Sequence, residues 1–216
     1  MRRFAAPLVA LSLAAASPVR AHDPAVEVDT SGDLPPGITW DDVQPKLDRK
    51  ADLKVVRSLG WMQGGLGHVA VFATATKTGQ ARGEAHTSRA LYVTTLCMIG
   101  DTWKKIEDIR EVVAPCALDL TADFVDGAIG VTDLDDDGEA ELTFAYRLGC
   151  GGDVSPNTMK LIMLEGPQKY ALRGESRVDP GNGVRVGGTF KPDFGKAPPA
   201  FLAHAKKVWE AHADEN

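Results

Sequence analysis

Six carboxylates fall within nine residues of this chain, at Asp133, Asp135, Asp136, Asp137, Glu139 and Glu141. Asp133, Asp135 and Asp137 hold alternate positions, Gly138 follows, and Glu141 comes three residues later. Like charges at that density repel one another at neutral pH unless a cation sits among them. Carboxylate oxygens at alternate positions, with a glycine for a sharp reversal, are the hard donor set that Ca²⁺ takes. A calcium loop is the expected chemistry, and a solvated acidic hairpin is the plain alternative.

An EF-hand begins with the same spacing but needs a bidentate Glu at loop position 12, and counting from Asp133 that position is Phe144. It also needs flanking helices. Here Ala128–Thr132 before the loop and Leu142–Tyr146 after it carry β-branched and aromatic residues in partial alternation, a strand signature. The EF-hand is excluded. The loop resembles the short, strand-flanked Asp-x-Asp-x-Asp-Gly-x-x-Glu turn of FG-GAP/VCBS-type repeats in secreted β proteins. That resemblance implies a structural Ca²⁺ held by the side chains of Asp133, Asp135, Asp137 and Glu141 and by the backbone carbonyl of Glu139, with Asp136 turned to solvent.

Strands must position such a loop, and the chain supplies them. Runs at Gly67–Thr76, Ala90–Ile99, Glu141–Leu148, Thr158–Glu165 and Lys169–Val178 are β-branched or aromatic and separated by Gly-marked turns. Trp103–Val113 reads better as strand than helix, although Ile106 breaks the alternation. Lys77–Arg89 reads as a hairpin connection, and a short helical turn is expected around Trp40 to Leu47. Gly64-Gly65-Leu66-Gly67 faintly echoes the calcium turn without its acids, so two sub-repeats, 38–113 and 114–216, are expected within one β-rich domain, 38–216. Pro198-Pro199 open a C-terminal helix on which Phe201, Ala205, Val208, Trp209 and His212 form one apolar stripe. The expected fold is mainly β, antiparallel sheets in a sandwich-like or partial-propeller-like arrangement, with that C-terminal α-helix.

The N-terminus predicts export. Arg2 and Arg3, an apolar run from Phe4 to Ala16 and Val19-Arg20-Ala21 make a signal peptide, residues 1–21, with cleavage near Ala21. A flexible Pro/Gly-punctuated leader, 22–37, follows. Cleavage removes three arginines and no acids, deepening the formal charge of −6 to −9. That balance argues against nucleic acid and anionic lipid as partners, and no later run approaches the length of a membrane span, about 20 apolar residues. The location expected is periplasmic or secreted. In an oxidising compartment the cysteines predict one bridge, Cys116–Cys150, both at chain reversals, with Cys97 packed inside a strand; three free thiols are the alternative.

No nucleophile elbow, zinc-binding His-Glu-x-x-His, Walker loop or Cys-x-x-Cys pair occurs, so no catalytic residue is assigned. A second candidate site gathers Arg147, Asp153, Ser155 and Arg173, read as a polar pocket for a sugar or an anion. Its alternative is that Asp153 and Ser155 cap their own turn while the arginines neutralise nearby acids. Around these residues the calcium turn, the segment Cys150-Gly151-Gly152-Asp153-Val154-Ser155-Pro156 and the strand Lys169–Glu175 resemble a family of secreted bacterial proteins, some labelled surface polysaccharide biosynthesis protein. The resemblance runs from about Cys116 to Phe201 and implies extracytoplasmic residence and a link to envelope glycans. The expected function is a calcium-stabilised binding or accessory module whose partner is an envelope saccharide. The alternatives are a periplasmic protein-interaction scaffold and a glycan-active enzyme.

Overall fold

Two antiparallel sheets carry the chain in sequence order. The computed structural model describes residues 25–27, 37–39, 52–81, 83–181 and 183–215. The expected signal peptide, most of the leader and the helical turn near Trp40 lie outside them.

The first sheet is a meander of β1 (Ala25–Glu27), β2 (Asp52–Gln63), β3 (Leu66–Ala81), β4 (Glu84–Ile99) and β5 (Thr102–Cys116), each paired with the next. β1 falls inside the stretch expected to be an irregular leader and pairs with Leu59–Trp61 on the free edge of β2. Gly64 and Gly65 have φ of 57° and 79° and close the β2–β3 turn opposite the pair Gln63–Leu66. Two successive positive φ values suit the right-handed twist of the flanking strands. The Gly-rich echo of the calcium turn is therefore a two-residue hairpin. The expected connection Lys77–Arg89 is also strand: β3 and β4 pair through to Ala81 and Glu84. Ile106 broke the alternation of β5 for a physical reason. Thr95 pairs with Glu107 and Leu96 with Lys105, leaving Ile106 as the extra residue of a bulge.

The second sheet contains β6 (Asp119–Phe124), β7 (Gly130–Thr132), β8 (Glu141–Gly151), β9 (Thr158–Glu165), β10 (Gln168–Glu175) and β13 (Phe190–Asp193). Its order is β13-β10-β9-β8-β6, and β7 pairs with the same edge of β8 further along. Residues 125–129 leave the edge between β6 and β7. The ribbon β11 (Arg177–Val178) and β12 (Val186–Gly187) lies apart.

Alternation in β8 shows how the layers stack. Leu142, Phe144 and Tyr146 join Leu59, Phe72, Leu91 and Val93 of the first sheet in one core. Phe72 meets Phe124 and Phe144 edge-on, ring centroids 5.2 and 5.5 Å apart, a favoured aromatic geometry. Between them Ala145 faces the other way, into a second core with Met159, Leu161, Met163 and the helix α1 (Pro199–His212). Of the expected stripe, Phe201, Ala205 and Trp209 are buried, and Trp209 Nε1 donates to Gly188 O at 3.0 Å. The protein is thus a β-sandwich with a helix on one outer face. Cys116 at the end of β5 is bonded to Cys150 in β8, Cα atoms 5.8 Å apart, which ties the two sheets together around the acidic loop. Cys97 is free and buried.

Candidate functional site

The acidic loop joins β7 to β8, whose last ladder pair is Thr132–Glu141. Its tightness comes from its own carboxylates. Asp133 accepts hydrogen bonds from the amides of Asp137 (3.2 Å) and Gly138 (3.1 Å), and Asp137 accepts one from the amide of Glu139 (2.7 Å). Gly138 has φ 85°, and Asp136 has φ 58°, an αL conformation that aspartate tolerates better than most residues. Asp136 is exposed.

Glu141 is the exceptional member, a carboxylate with 0 % exposure. Its Oε2 accepts from the Leu134 amide (2.9 Å) and the Thr132 hydroxyl (3.2 Å). Its Oε1 is buried and has no hydrogen-bond partner among the described residues. Asp133, Asp135 and Glu141 each offer an oxygen within 4.8 Å of the others. Burial, reinforced by the charges of Asp135 and Asp133, pushes the Glu141 carboxyl up to about 7 against the two hydrogen bonds that hold it down. A carboxylate interred beside two others, with one oxygen idle, is costly on its own. The three together fit a divalent cation. Asp137 is placed differently: its carboxylate groups with Asp135 and Glu165 in a second cluster. Glu139 lies in the loop, directly before the Ala140 amide, which donates to Gln63 Oε1 in the first sheet at 3.1 Å.

Glu165 is the loop neighbour that sequence spacing missed. It stands directly across from Glu141 in the β8–β9 ladder, and it accepts from the Tyr170 hydroxyl at 3.2 Å. Burial, then the charges of the loop, hold its carboxyl above the ordinary range. The signal was present in the sequence, since the β9 strand ends on an acid before Gly166-Pro167, but only the strand register reveals the pairing.

The second candidate site divides. Asp153 and Ser155 line a cleft of about 470 Å³ beside the disulfide, together with Asp119, Thr121, Asn157 and Glu215. Neither arginine lines it. Arg147 reaches the end of α1, where its Nη2 donates to the carbonyls of His212 (2.7 Å) and Asp214 (2.6 Å). Arg173 pairs with Asp193 on the adjacent strand at 2.9 Å. The two point to opposite faces of the sheet, because Arg147 follows Ala145 toward the helix whereas Arg173 sits in register with Lys160 and Tyr146. No Lys or Arg is among the residues lining the cleft. Glu215 is held there by the Asn157 amide group, at 3.0 Å to each oxygen, and by Ser176.

No family model, curated protein or solved structure matches this chain. The loop offers converging hard oxygens, one of them desolvated and idle. The cleft offers hydroxyls, an amide and acids, with half of Val154 or more exposed at its rim. Among the described residues no helix is long and apolar enough to cross a membrane.

Proposed function

We propose that this chain is an exported, calcium-stabilised binding or accessory module linked to cell-envelope polysaccharide. The observation that carries the calcium reading is the buried, unpartnered Oε1 of Glu141 within reach of Asp133 and Asp135. Asp133, Asp135 and Glu141 would hold the ion, with Asp137 and the Glu139 carbonyl supplying further oxygens. Bound there, Ca²⁺ supplies charge neutralisation, nothing redox or nucleophilic. The loop's own contacts explain why neutralisation would matter beyond the turn. Glu141 opens β8, Leu134 and Thr132 hydrogen-bond to it, and Ala140 is bonded to Gln63 across the sandwich. An ion that fixes these carboxylates fixes the seam between the sheets.

The saccharide reading rests on the cleft around Asp119, Asp153 and Ser155. Hydroxyl, amide and carboxylate groups hydrogen-bond sugar hydroxyls, and exposed Val154 supplies apolar surface that a sugar ring covers. Without a cation in its lining the cleft suits an uncharged glycan rather than the anion first considered. Calorimetric titration of the calcium-stripped chain should give about one Ca²⁺ per chain, and Glu141→Gln should weaken it at least tenfold. Titration with neutral oligosaccharides should move amide resonances at residues 119 and 153–157. If the same additions instead shorten the oligosaccharide, with loss on Asp153→Asn, the enzyme alternative replaces binding.

A further inference from the structure

The interruption of the sheet edge between β6 and β7 leaves a pocket that neither reading above uses. Residues 125–129 swing out from the edge, held by Val125 N to Ala145 O (2.9 Å) and Ala128 N to Val125 O (3.2 Å). Between this excursion and α1 lies a cavity of about 380 Å³, walled by Ala128, Gly130, Leu134, Thr143, His204 and Val208. That volume falls in the range of about 300–1,000 Å³ typical of small-ligand sites, which are mainly apolar with a few fixed polar groups.

Its polar groups are specific. Thr143 is 2 % exposed, and its hydroxyl has no hydrogen-bond partner among the described residues. A buried hydroxyl without a partner costs free energy, and most such groups in folded proteins are satisfied. His204 lines the same pocket from the helix, and burial followed by the charge of Lys207 holds its imidazole below the usual range. The pocket lining includes no Lys or Arg, and its one formal charge is Asp133. A carboxylate or phosphate would enter without a counter-charge and beside the acidic loop, which is unfavourable. Space is available at Gly130. A Cβ there would meet nothing within 4 Å, and Gly130 is not among the positive-φ glycines, so a side chain is unstrained. The excursion closes elsewhere, at Gly127, where a Cβ would come within 2.8 Å of His212.

We infer that this pocket binds a small neutral molecule of mainly hydrocarbon surface bearing a single hydroxyl or carbonyl, such as a medium-chain alcohol, with Thr143 and His204 as its hydrogen-bonding partners. The site is separate from the polar cleft and does not depend on a saccharide ligand. It shares Asp133 and Leu134 with the calcium loop, so it is tested both in Ca²⁺ and in EDTA.

The probe is N-phenyl-1-naphthylamine, a neutral dye that brightens in apolar surroundings, titrated against the full chain. Saturable brightening is expected, reversed by 1-decanol and not by decanoate. Gly130→Phe fills the space and should weaken the dye at least tenfold while thermal melting stays within a few degrees of the parent. Val208→Phe fills it from the helix and decides the matter if Gly130→Phe does not fold. Thr143→Val should leave dye affinity unchanged and weaken 1-decanol several-fold. Absence of saturable binding in both buffers, equal dye affinity in parent and folded filled variants, or equal displacement by decanoate would overturn the assignment.

Discussion

At the scale of single residues, Glu141 is one group that links folding to protons. Its folded carboxyl titrates near 7 against an ordinary value of 4.5. Between those values the folded, metal-free chain holds a proton that the unfolded chain has already released. The stability of the metal-free protein therefore rises from this group as pH falls through 7, levels off below 4.5, and is lost as pH rises. Glu141→Gln, which keeps the shape without the charge, should flatten that dependence. Urea midpoints in EDTA at pH 8 and pH 5.5 for parent and variant test it; a parallel dependence in both would assign the shift elsewhere. On the proposed calcium reading, added Ca²⁺ should reverse the sign, because the ion and the proton would compete for one carboxylate. Arg147 gives a second residue-level prediction. It caps the carbonyls at the end of α1 rather than a ligand, and a cation is favourable there. Arg147→Met should lower stability by about 2 kcal/mol, the scale of a charge-assisted hydrogen bond, and leave saccharide binding unchanged. A loss of binding with unchanged stability would return Arg147 to the ligand site.

Among the elements, the legibility of the sequence followed the strength of local pattern. β9 was readable to the residue, because Thr158–Glu165 is bounded by Asn157 on one side and the Gly166 turn on the other. The helix was readable from Pro198-Pro199 and its apolar stripe. What local pattern could not carry was register. Ile106 looked like a fault in β5 until pairing with β4 made it a bulge, and Glu165 looked like a strand end until the ladder set it opposite Glu141. The same limit explains the split second site. Arg147 in β8 and Arg173 in β10 read as one cluster in the sequence, but the ladder register sets them on opposite faces of one sheet, and each already has a partner. Covalent pairing was more legible, since Pro115 before Cys116 and Gly151-Gly152 after Cys150 mark nearby reversals in the sequence, although Cys150 itself is a strand residue of β8. That bridge closes a loop across 34 residues of separation, for which the chain-entropy model gives about 3–4 kcal/mol. A Cys116→Ala, Cys150→Ala double variant should lose stability of that order in chemical denaturation. A loss under 1 kcal/mol would mean that the sandwich core alone holds the loop.

Taken as a whole, the molecule is two sheets joined by an apolar interior and by a few polar links around its rim. Besides the disulfide, Glu111 of β5 accepts from Lys160 (2.7 Å) and the Tyr146 hydroxyl (2.8 Å) of the other sheet, and Arg89 pairs with Asp123 at 2.8 Å. The acidic loop belongs to this set through the contact of Ala140 with Gln63. Among these links it is the one whose loop gathers several carboxylates, so under the proposed calcium reading it is the point at which an ion would stabilise the fold. A ligand that binds only the folded chain stabilises it by about 2.7 kcal/mol at a hundredfold excess over its dissociation constant. For a domain of this size that corresponds to a rise in melting temperature of roughly 5–10 °C.

Thermal melting of the parent chain and of Asp135→Ala, each in EDTA and then in excess Ca²⁺ at pH 7.5, tests this most directly. The parent should melt lower in EDTA and recover by roughly 5–10 °C with Ca²⁺, while Asp135→Ala should melt at one temperature in both. A parent chain that melts identically with and without Ca²⁺ would contradict the calcium loop and the stabilising role built on it.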